Sequence, residues 1–249
     1  MSELQQNPYS IPTSELLEQP PAGTTPSIEE ALTRGYDFHI GDILSESWRL
    51  THGLKGLLIG GMVVYSAVNQ AISMIPGLVV AFVVSDGTLQ LIAQLLISII
   101  SGICAAPILA GMYLLAMRHV TGQPVNFNQI FSQFGKFIPL AILNALIPVL
   151  IYLGLLLLVI PGVYLCIAYM LAMPLVVERG LSPWQAMEAS RRAISQRWFK
   201  CFGLFALLGL IVMLSALPLF IGLVWTLPMC FVVVALLYQR IFGIQQFPQ

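Results

Sequence analysis

The sequence is poor in charge. Only 9% of its 249 residues are charged, and eleven basic residues balance eleven acidic ones. Soluble domains carry roughly 25% charged residues. Together with 58% hydrophobic residues and a mean hydropathy of +0.87, this deficit indicates a lipid-embedded protein rather than a soluble one with a large core. The zero net charge suggests no nucleic-acid partner.

The sequence also lacks catalytic and metal-binding motifs. It contains no P-loop, no HExxH, no GxSxG and no paired carboxylates near a predicted cleft. We therefore predict that the protein is not an enzyme, with no catalytic, cofactor-binding or metal-binding residues and no cofactor. There is no CxxC, and no histidine lies near a cysteine. We interpret the cysteines as small buried apolar residues: Cys104, Cys166, Cys201 and Cys230.

The predicted spans lack charge away from their ends. Intramembrane ionisable residues are typical of pumps and proton relays, so their absence argues against a coupled transporter. Four polar residues lie at depth, Asn69, Gln70, Gln94 and Asn144. We interpret them as interhelical hydrogen-bonding groups, with a polar pathway as the alternative. His39, His52 and His119 are scattered near one predicted interface, and we expect them to be surface residues, with ligand or switch roles as the alternative.

The N-terminal segment differs from the rest of the chain. Residues 1–38 are rich in Pro, Gln, Ser, Thr and Glu, a composition that buries too little apolar surface to offset its ordering entropy. We predict a disordered cytoplasmic tail, in which Asn7-Pro8-Tyr9 is either a docking motif or part of a solvated chain. This segment has neither the basic start nor the apolar run of a signal peptide, so we predict none.

Residues 39–243 are predicted to form an all-α polytopic membrane domain with six transmembrane helices, followed by a short cytoplasmic tail at 244–249. The apolar runs are each about one bilayer span long. Pro76-Gly77 and Pro161-Gly162 are read as breaks, although the second turn could fall a few residues earlier, because the fourth span is short. The predicted spans are about 57–77, 89–117, 137–160, 162–177, 203–223 and 226–242.

Three amphipathic segments are predicted to lie as interfacial helices on the cytoplasmic side. They begin at residues 39, 126 and 182. The third has a capping box, with Ser182 as N-cap, Pro183 at the first helical position and Gln185 at the third. Helical projection places Trp184, Met187, Ile194 and Trp198 on its apolar stripe, with Ser190 at the margin.

Each amphipathic segment is followed by two apolar spans, each unit has a proline break, and each ends in an arginine. The terminal arginines are Arg118, Arg179 and Arg240. This layout indicates either a threefold repeat of a helical hairpin or the common needs of any such hairpin, and the sequence leaves both open.

The basic residues predict the orientation. All eleven fall on one side of the six-span scheme, and the opposite loops, around 77–88, 161–162 and 218–226, contain none. By the positive-inside rule both termini are cytoplasmic. Trp48, Phe137, Trp198, Phe199 and Phe202 would form an inner aromatic belt, and Phe82, Phe220 and Trp225 an outer one.

Arg191 is the exception to the separation of charged and apolar faces. It projects into the apolar stripe of the third interfacial helix. Either it snorkels to lipid phosphate, or it pairs with a carboxylate, for which Glu178, Glu46 and Asp42 are the candidates. In the second case Arg191 would hold this helix against the bundle.

The stretch from Ile160 to Lys200 carries a resemblance to a known family. Ile160-Pro161-Gly162, a span, and then PLVVERGLSPWQAMEASRRA at 174–193 resemble the uncharacterised multi-pass bacterial inner-membrane proteins of the YciC-like type. The pattern is also similar to the membrane domain of some glycerophosphodiester phosphodiesterases. The resemblance implies a six-helix bundle in the bacterial cytoplasmic membrane. It carries no activity over, because this chain contains no phosphodiesterase domain.

These observations predict a non-catalytic inner-membrane protein with a membrane-organising or accessory role. Its partners would be membrane lipids, and further candidates are other membrane proteins or a homo-oligomer. The alternative is a carrier or channel for a small or lipophilic solute. Convergence of Asn69, Gln94 and Asn144 on one cavity would favour the carrier, and a closed bundle would favour the accessory role.

Overall fold

The computed structural model describes residues 25–245, and these are helical with no strand. A 3₁₀ helix, Phe127–Lys136, precedes the fourth α-helix. The α-helices are α1 (Ile28–Arg34), α2 (Ile40–Val83), α3 (Gly87–Val120), α4 (Phe137–Leu157), α5 (Val159–Ala168), α6 (Ala172–Arg179), α7 (Pro183–Gln196), α8 (Trp198–Ala216) and α9 (Leu223–Phe242).

Six segments are long and apolar enough to cross a bilayer, which confirms an all-α polytopic membrane protein. Their bounds differ from the predicted ones by several residues. They are Ile40–Val83, Gly87–Val120, Phe127–Leu157, Val159–Arg179, Trp198–Ala216 and Leu223–Phe242.

The core is built around α3 and α9. The second half of α3 and most of α9 are buried, and Tyr113 of α3 lies against Phe231 of α9 with ring centroids 4.9 Å apart. The 3₁₀ helix crosses α3 at Gly111, where a Cβ atom would lie 2.1 Å from the carbonyl oxygen of Ile130. Only a glycine permits this approach, and it fixes the position of the segment that leads into α4.

The first predicted interfacial helix is not separate from the first span. α2 runs without interruption from Ile40 to Val83, and Pro76 lies inside it. Ile43, Ser47, Thr51, Leu54 and Leu58 are buried at helical spacing, so residues 39–54 pack along the bundle. A proline is tolerated inside a membrane helix because adjacent turns and neighbours satisfy the freed carbonyl groups. The predictions of a separate helix and of a break at Pro76 are therefore corrected.

The fourth span is interrupted in a way that the sequence analysis anticipated only in part. The turn between α4 and α5 is at Leu158, a few residues before Pro161-Gly162, as the alternative reading allowed. A second interruption, at residues 169–171, separates α5 from α6. Pro174 favours it, because proline has no N–H and its ring clashes with the carbonyl of the residue four positions earlier.

The last hairpin differs most from the prediction. α8 ends at Ala216 rather than continuing past Pro218, and Leu219 and Phe220 adopt positive φ values of 51° and 63° in the connection. The Lys55 ammonium lies 5.4 Å from the centroid of the Trp225 ring. The prediction that these two residues lie on opposite sides of a bilayer is therefore wrong in this structure, because a hydrocarbon core is about 30 Å thick.

The tip of the α8–α9 hairpin is consequently shallower than the tip of α2–α3. Beyond Lys55, α2 continues to Val83, about 42 Å at 1.5 Å per residue. We expect an impermeant thiol reagent added outside to label Asp86→Cys strongly and Phe220→Cys weakly, relative to the unmodified protein. Equal labelling at the two positions would contradict this difference in depth and would support three hairpins of equal depth.

The predicted disordered tail is ordered from residue 25 onward. Ser27 and Glu30 form a reciprocal capping box at the start of α1, and Ala31 and Phe38 are buried. The prediction of disorder is corrected for residues 25–38, because one apolar face of this short helix finds a partner surface on α7 and α9. Residues 1–24, including Asn7-Pro8-Tyr9, and residues 246–249 lie outside the described part.

The three predicted units all contain a helical hairpin, but the amphipathic segment that precedes the hairpin differs from one unit to the next. The hairpins are α2–α3, α4 with α5 and α6, and α8–α9. The entry segment is continuous with α2 in the first, is a 3₁₀ helix in the second and is the separate α7 in the third. Both explanations of the pattern remain open.

Candidate functional site

A buried ionic network lies at the end of the bundle that carries Lys136, Arg179, Arg192, Lys200 and Arg240, here called the basic face. Its centre is the Glu178 carboxylate, which is 0% exposed and lies 2.6 Å from Nε of Arg179. The Tyr238 hydroxyl donates to the same carboxylate, and the backbone N–H of Gln245 donates to it over 2.8 Å. Glu178 therefore joins α6 to α9 and to the segment after α9.

Arg179 extends the network to both ends of the described chain. Its guanidinium donates to the Phe242 carbonyl oxygen at 2.9 Å and to the Pro26 carbonyl oxygen at 3.3 Å. The Phe242 carbonyl is at the C-terminal end of α9, where carbonyl groups have no intrahelical partner and a cation is favourable. From the sequence, Arg179 was predicted only to end a span, and Glu178 was a candidate partner of Arg191 rather than of Arg179. Their adjacency after a long apolar run was the available signal.

Ser190 closes the interruption between α5 and α6. Its hydroxyl donates to the Ala168 carbonyl oxygen at 2.6 Å and accepts from the Leu171 N–H at 3.2 Å. Both backbone groups lack a helical partner because of the break, and burying them unpaired would be costly. Ser190 was placed at the margin of the α7 apolar stripe, whereas it lies at its buried centre.

α1 is held against α7 and α8 by polar contacts. The Tyr36 hydroxyl donates to the Ala193 carbonyl oxygen at 3.1 Å, and Gln196 donates to the Leu32 carbonyl oxygen at 2.6 Å. Lys200 forms an ion pair with Asp37. The hydrogen bond from Lys200, followed by that from the Phe38 backbone, lowers the pKa of the exposed Asp37 carboxyl. These contacts explain why residues 25–38 are ordered.

The structure confirms the capping box of α7 but not its apolar stripe as drawn. Ser182 caps the helix, and Gln185 bonds back to the Ser182 backbone. Met187 and Ile194 are buried, whereas Trp184 is 67% exposed. The helix is therefore rotated about its axis relative to the projection, which moves Arg191 out of the buried face.

Arg191 pairs with Glu188, which was not among its predicted partners. Two of its nitrogens bond to the two Glu188 oxygens at 2.9 and 2.8 Å, and Arg192 bonds to the same carboxylate at 2.7 Å. Of the predicted partners, Glu178 binds Arg179 and Glu46 binds Arg240. Because Glu188 is on α7 itself, the pair does not anchor the helix to the bundle.

We therefore expect Arg191→Leu and Arg192→Leu to lower the free energy of unfolding by similar amounts, within about 1 kcal/mol, as is usual for exposed pairs. Thermal unfolding in detergent measures this. A much larger loss for Arg191→Leu alone would revive the anchoring hypothesis.

The pH dependence of this cluster follows from Glu188. Hydrogen bonds from Arg191 and then Arg192 lower the pKa of Glu188 to about 2, from an ordinary value of 4.5. A lowered folded-state pKa stabilises the fold fully above the unfolded value and loses that effect as pH falls through the folded value. The difference between the parent and Glu188→Gln should thus persist at neutral pH and vanish towards pH 2.

Two of the polar residues at depth bond to adjacent positions of α3, and the other two are exposed. Ser101 of α3 donates to the Asn69 side-chain oxygen at 3.0 Å, and the Asn144 amide donates to the Gly102 carbonyl oxygen at 3.0 Å. Gln94 is exposed and lies near Gly77, and Gln70 is exposed as well. Asn69 and Asn144 thus each join a different helix to α3, as the interhelical reading predicted.

The histidines and cysteines form no cluster suited to a metal ion within residues 25–245. His119 shares a hydrogen bond of 2.9 Å with the Leu50 carbonyl oxygen and is partly buried between α2 and α3, so it is not a plain surface residue. His52 packs edge-on against Trp48. Cys201 is buried as predicted, but Cys166 is exposed on α5, which corrects its assignment to the interior.

Comparisons with known proteins found no match among protein-family models, curated proteins or solved structures. The basic face carries guanidinium and ammonium groups and exposed aromatic rings such as Phe199 and Trp184. Its cations Arg192, Lys200 and Arg240 are each paired with a carboxylate in partly exposed ion pairs. This combination suits contact with lipid headgroups or with an acidic protein surface.

Proposed function

We propose that the protein is a non-catalytic accessory or membrane-organising component of the bacterial inner membrane. It acts through contacts of its basic face with lipid headgroups or another membrane protein. Both termini lie in the cytoplasm, as the distribution of basic residues predicts. No nucleic acid is involved, and a homo-oligomer is one form that the protein contact could take.

The observation that supports this proposal is that polar side chains within the spans form hydrogen bonds between helices. Asn69 and Asn144 each form a hydrogen bond that holds another helix to α3, at the consecutive residues Ser101 and Gly102, and Gln94 is exposed. A carrier for a polar solute needs several such groups around one hydrated path. Charged groups are instead concentrated at the basic face, where the Glu178–Arg179 pair is buried and the ion pairs of Arg192, Lys200 and Arg240 are partly exposed.

The rival function, a carrier or channel, makes a different prediction. In vesicles loaded with carboxyfluorescein or a potassium-sensitive dye, it predicts leakage above that of empty vesicles. It also predicts that Asn69→Leu and Asn144→Leu change that leakage. The accessory function predicts no leakage and only a loss of thermal stability in these variants, because each removes one interhelical hydrogen bond.

The accessory function is tested directly by extracting the full-length protein in mild detergent and identifying what remains bound by native mass spectrometry. We expect anionic phospholipid or a second membrane protein to be retained, and neutralising Arg192 and Lys200 together to reduce it. Retention of neither by the parent protein would refute the proposal.

We also propose a relationship to the YciC-like proteins, which rests on residues 160–162 and 174–193.

A further inference from the structure

A groove of about 450 Å³ opens at the basic face between the start of α4 and the connection from α6 to α7. This volume falls within the range of roughly 300–1,000 Å³ of ligand pockets. Its walls are apolar over most of their length. They are formed by Ile138 and Ile142 of α4, Val176 of α6, and Leu181 and Pro183.

Lys136 supplies the only charge among the nine residues that line the groove. Its ammonium donates to the Val177 carbonyl oxygen at 2.6 Å, which uses one of its three N–H donors. The Glu178 carboxylate, which follows Val177 in the chain, is already bonded to Arg179, Tyr238 and the Gln245 backbone. Among the described ion pairs none includes Lys136, so its remaining N–H donors are available to a ligand at the mouth of the groove.

The groove faces the bilayer rather than the centre of the bundle. Ile138 is 71% exposed and Ile142 is 44% exposed, and both lie on the first two turns of α4, within the candidate span Phe127–Leu157. A molecule that enters here meets lipid on one side, apolar wall on the other and one cation at its end. A soluble anion matches the cation but leaves the apolar wall unused.

We propose that this groove binds one anionic phospholipid, with an acyl chain along Ile138 and Ile142 and the phosphate beside Lys136. The proposal deepens the proposed function and rests on it. The chain matches the apolar wall, and the phosphate can accept the free donors of the ammonium. The N-terminal end of α7, at Ser182 and Pro183, borders the same mouth, and its dipole adds to the favourable field.

The experiment transfers the purified full-length protein into vesicles of phosphatidylcholine and phosphatidylglycerol in equal parts, then extracts it again in mild detergent. Native mass spectrometry measures the phospholipid retained per protein. We expect the parent to retain one phosphatidylglycerol in preference to phosphatidylcholine. Lys136→Gln should reduce that preference about fivefold, the effect of one cation at a membrane surface, whereas Lys136→Arg should retain it.

A second variant tests the contribution of the apolar wall separately from that of the charge. Ile142→Trp fills the groove without changing any charge, and its site is half-exposed, so the fold should survive. It should reduce retention of both lipids. Arg34→Gln is the matched control, because it removes one exposed cation that neither lines the groove nor belongs to the basic face, and its retention should equal that of the parent. Melting temperatures confirm that each variant is folded.

Equal retention by Lys136→Gln and Arg34→Gln, or normal retention by Ile142→Trp, would overturn the groove site. If the parent still prefers phosphatidylglycerol in that case, the contact of the basic face with headgroups stands without the groove. If the parent shows no preference between the two lipids and no second membrane protein co-purifies with it, the proposed function fails as well. Complete displacement of the lipid by inorganic phosphate at constant ionic strength would identify a soluble anion as the ligand instead.

Discussion

Glu178→Gln is expected to lower the free energy of unfolding by about 3–5 kcal/mol, the usual result of removing one partner of a buried ion pair. The substitution leaves the Arg179 guanidinium, only 9% exposed, without its carboxylate. It also places amide hydrogens where Arg179, Tyr238 or Gln245 now donates. At about 2–4 °C per kcal/mol, the melting temperature in detergent should fall by on the order of 10 °C.

Glu46→Gln is the matched control. Glu46 also binds α9, through Arg240 at 3.2 Å, but both side chains are partly exposed. Its removal should cost less than about 1 kcal/mol. Equal melting temperatures for the two variants would mean that the Glu178 network adds nothing beyond a surface pair, and that the chain ends are held by packing alone.

The contacts of Glu178 could not be predicted from the sequence. Its carboxylate meets Tyr238 and Gln245, which are 60 and 67 positions away in the chain. No periodicity or spacing in a single sequence encodes such a meeting. The start of α7 was predictable, by contrast, because Ser182, Pro183 and Gln185 act within one helical turn. Apolar run length predicted the class of protein for the same reason, since it is a local property.

The break predicted at Pro76 failed because proline was treated as a uniform signal. Pro76 lies within a continuous α2, whereas Pro174 follows a real interruption. The two differ in their surroundings. The freed groups near Pro174 obtain a partner from α7, so the chain can leave the helix there without an unpaired buried group. Outside partners thus decide whether a break forms, and the local sequence does not name them.

Ser190→Ala is therefore the second substitution with a large expected effect. It removes the hydroxyl that serves the Ala168 carbonyl and the Leu171 N–H, both at fully buried residues. Each orphaned group costs about 1–3 kcal/mol, so the melting temperature should fall by several degrees. Hydrogen exchange at the Leu171 amide should accelerate, while amides in the centre of α9 should change little.

Ser195→Ala provides the comparison on the same helix. Ser195 is exposed, and its hydroxyl bonds to the Arg191 carbonyl oxygen and to the Tyr164 hydroxyl, so water can replace those bonds. Its loss should cost little and should leave exchange at Leu171 unchanged. If Ser190→Ala and Ser195→Ala melt alike and exchange alike, the interruption between α5 and α6 does not depend on Ser190, because another group or a water molecule then satisfies the buried backbone.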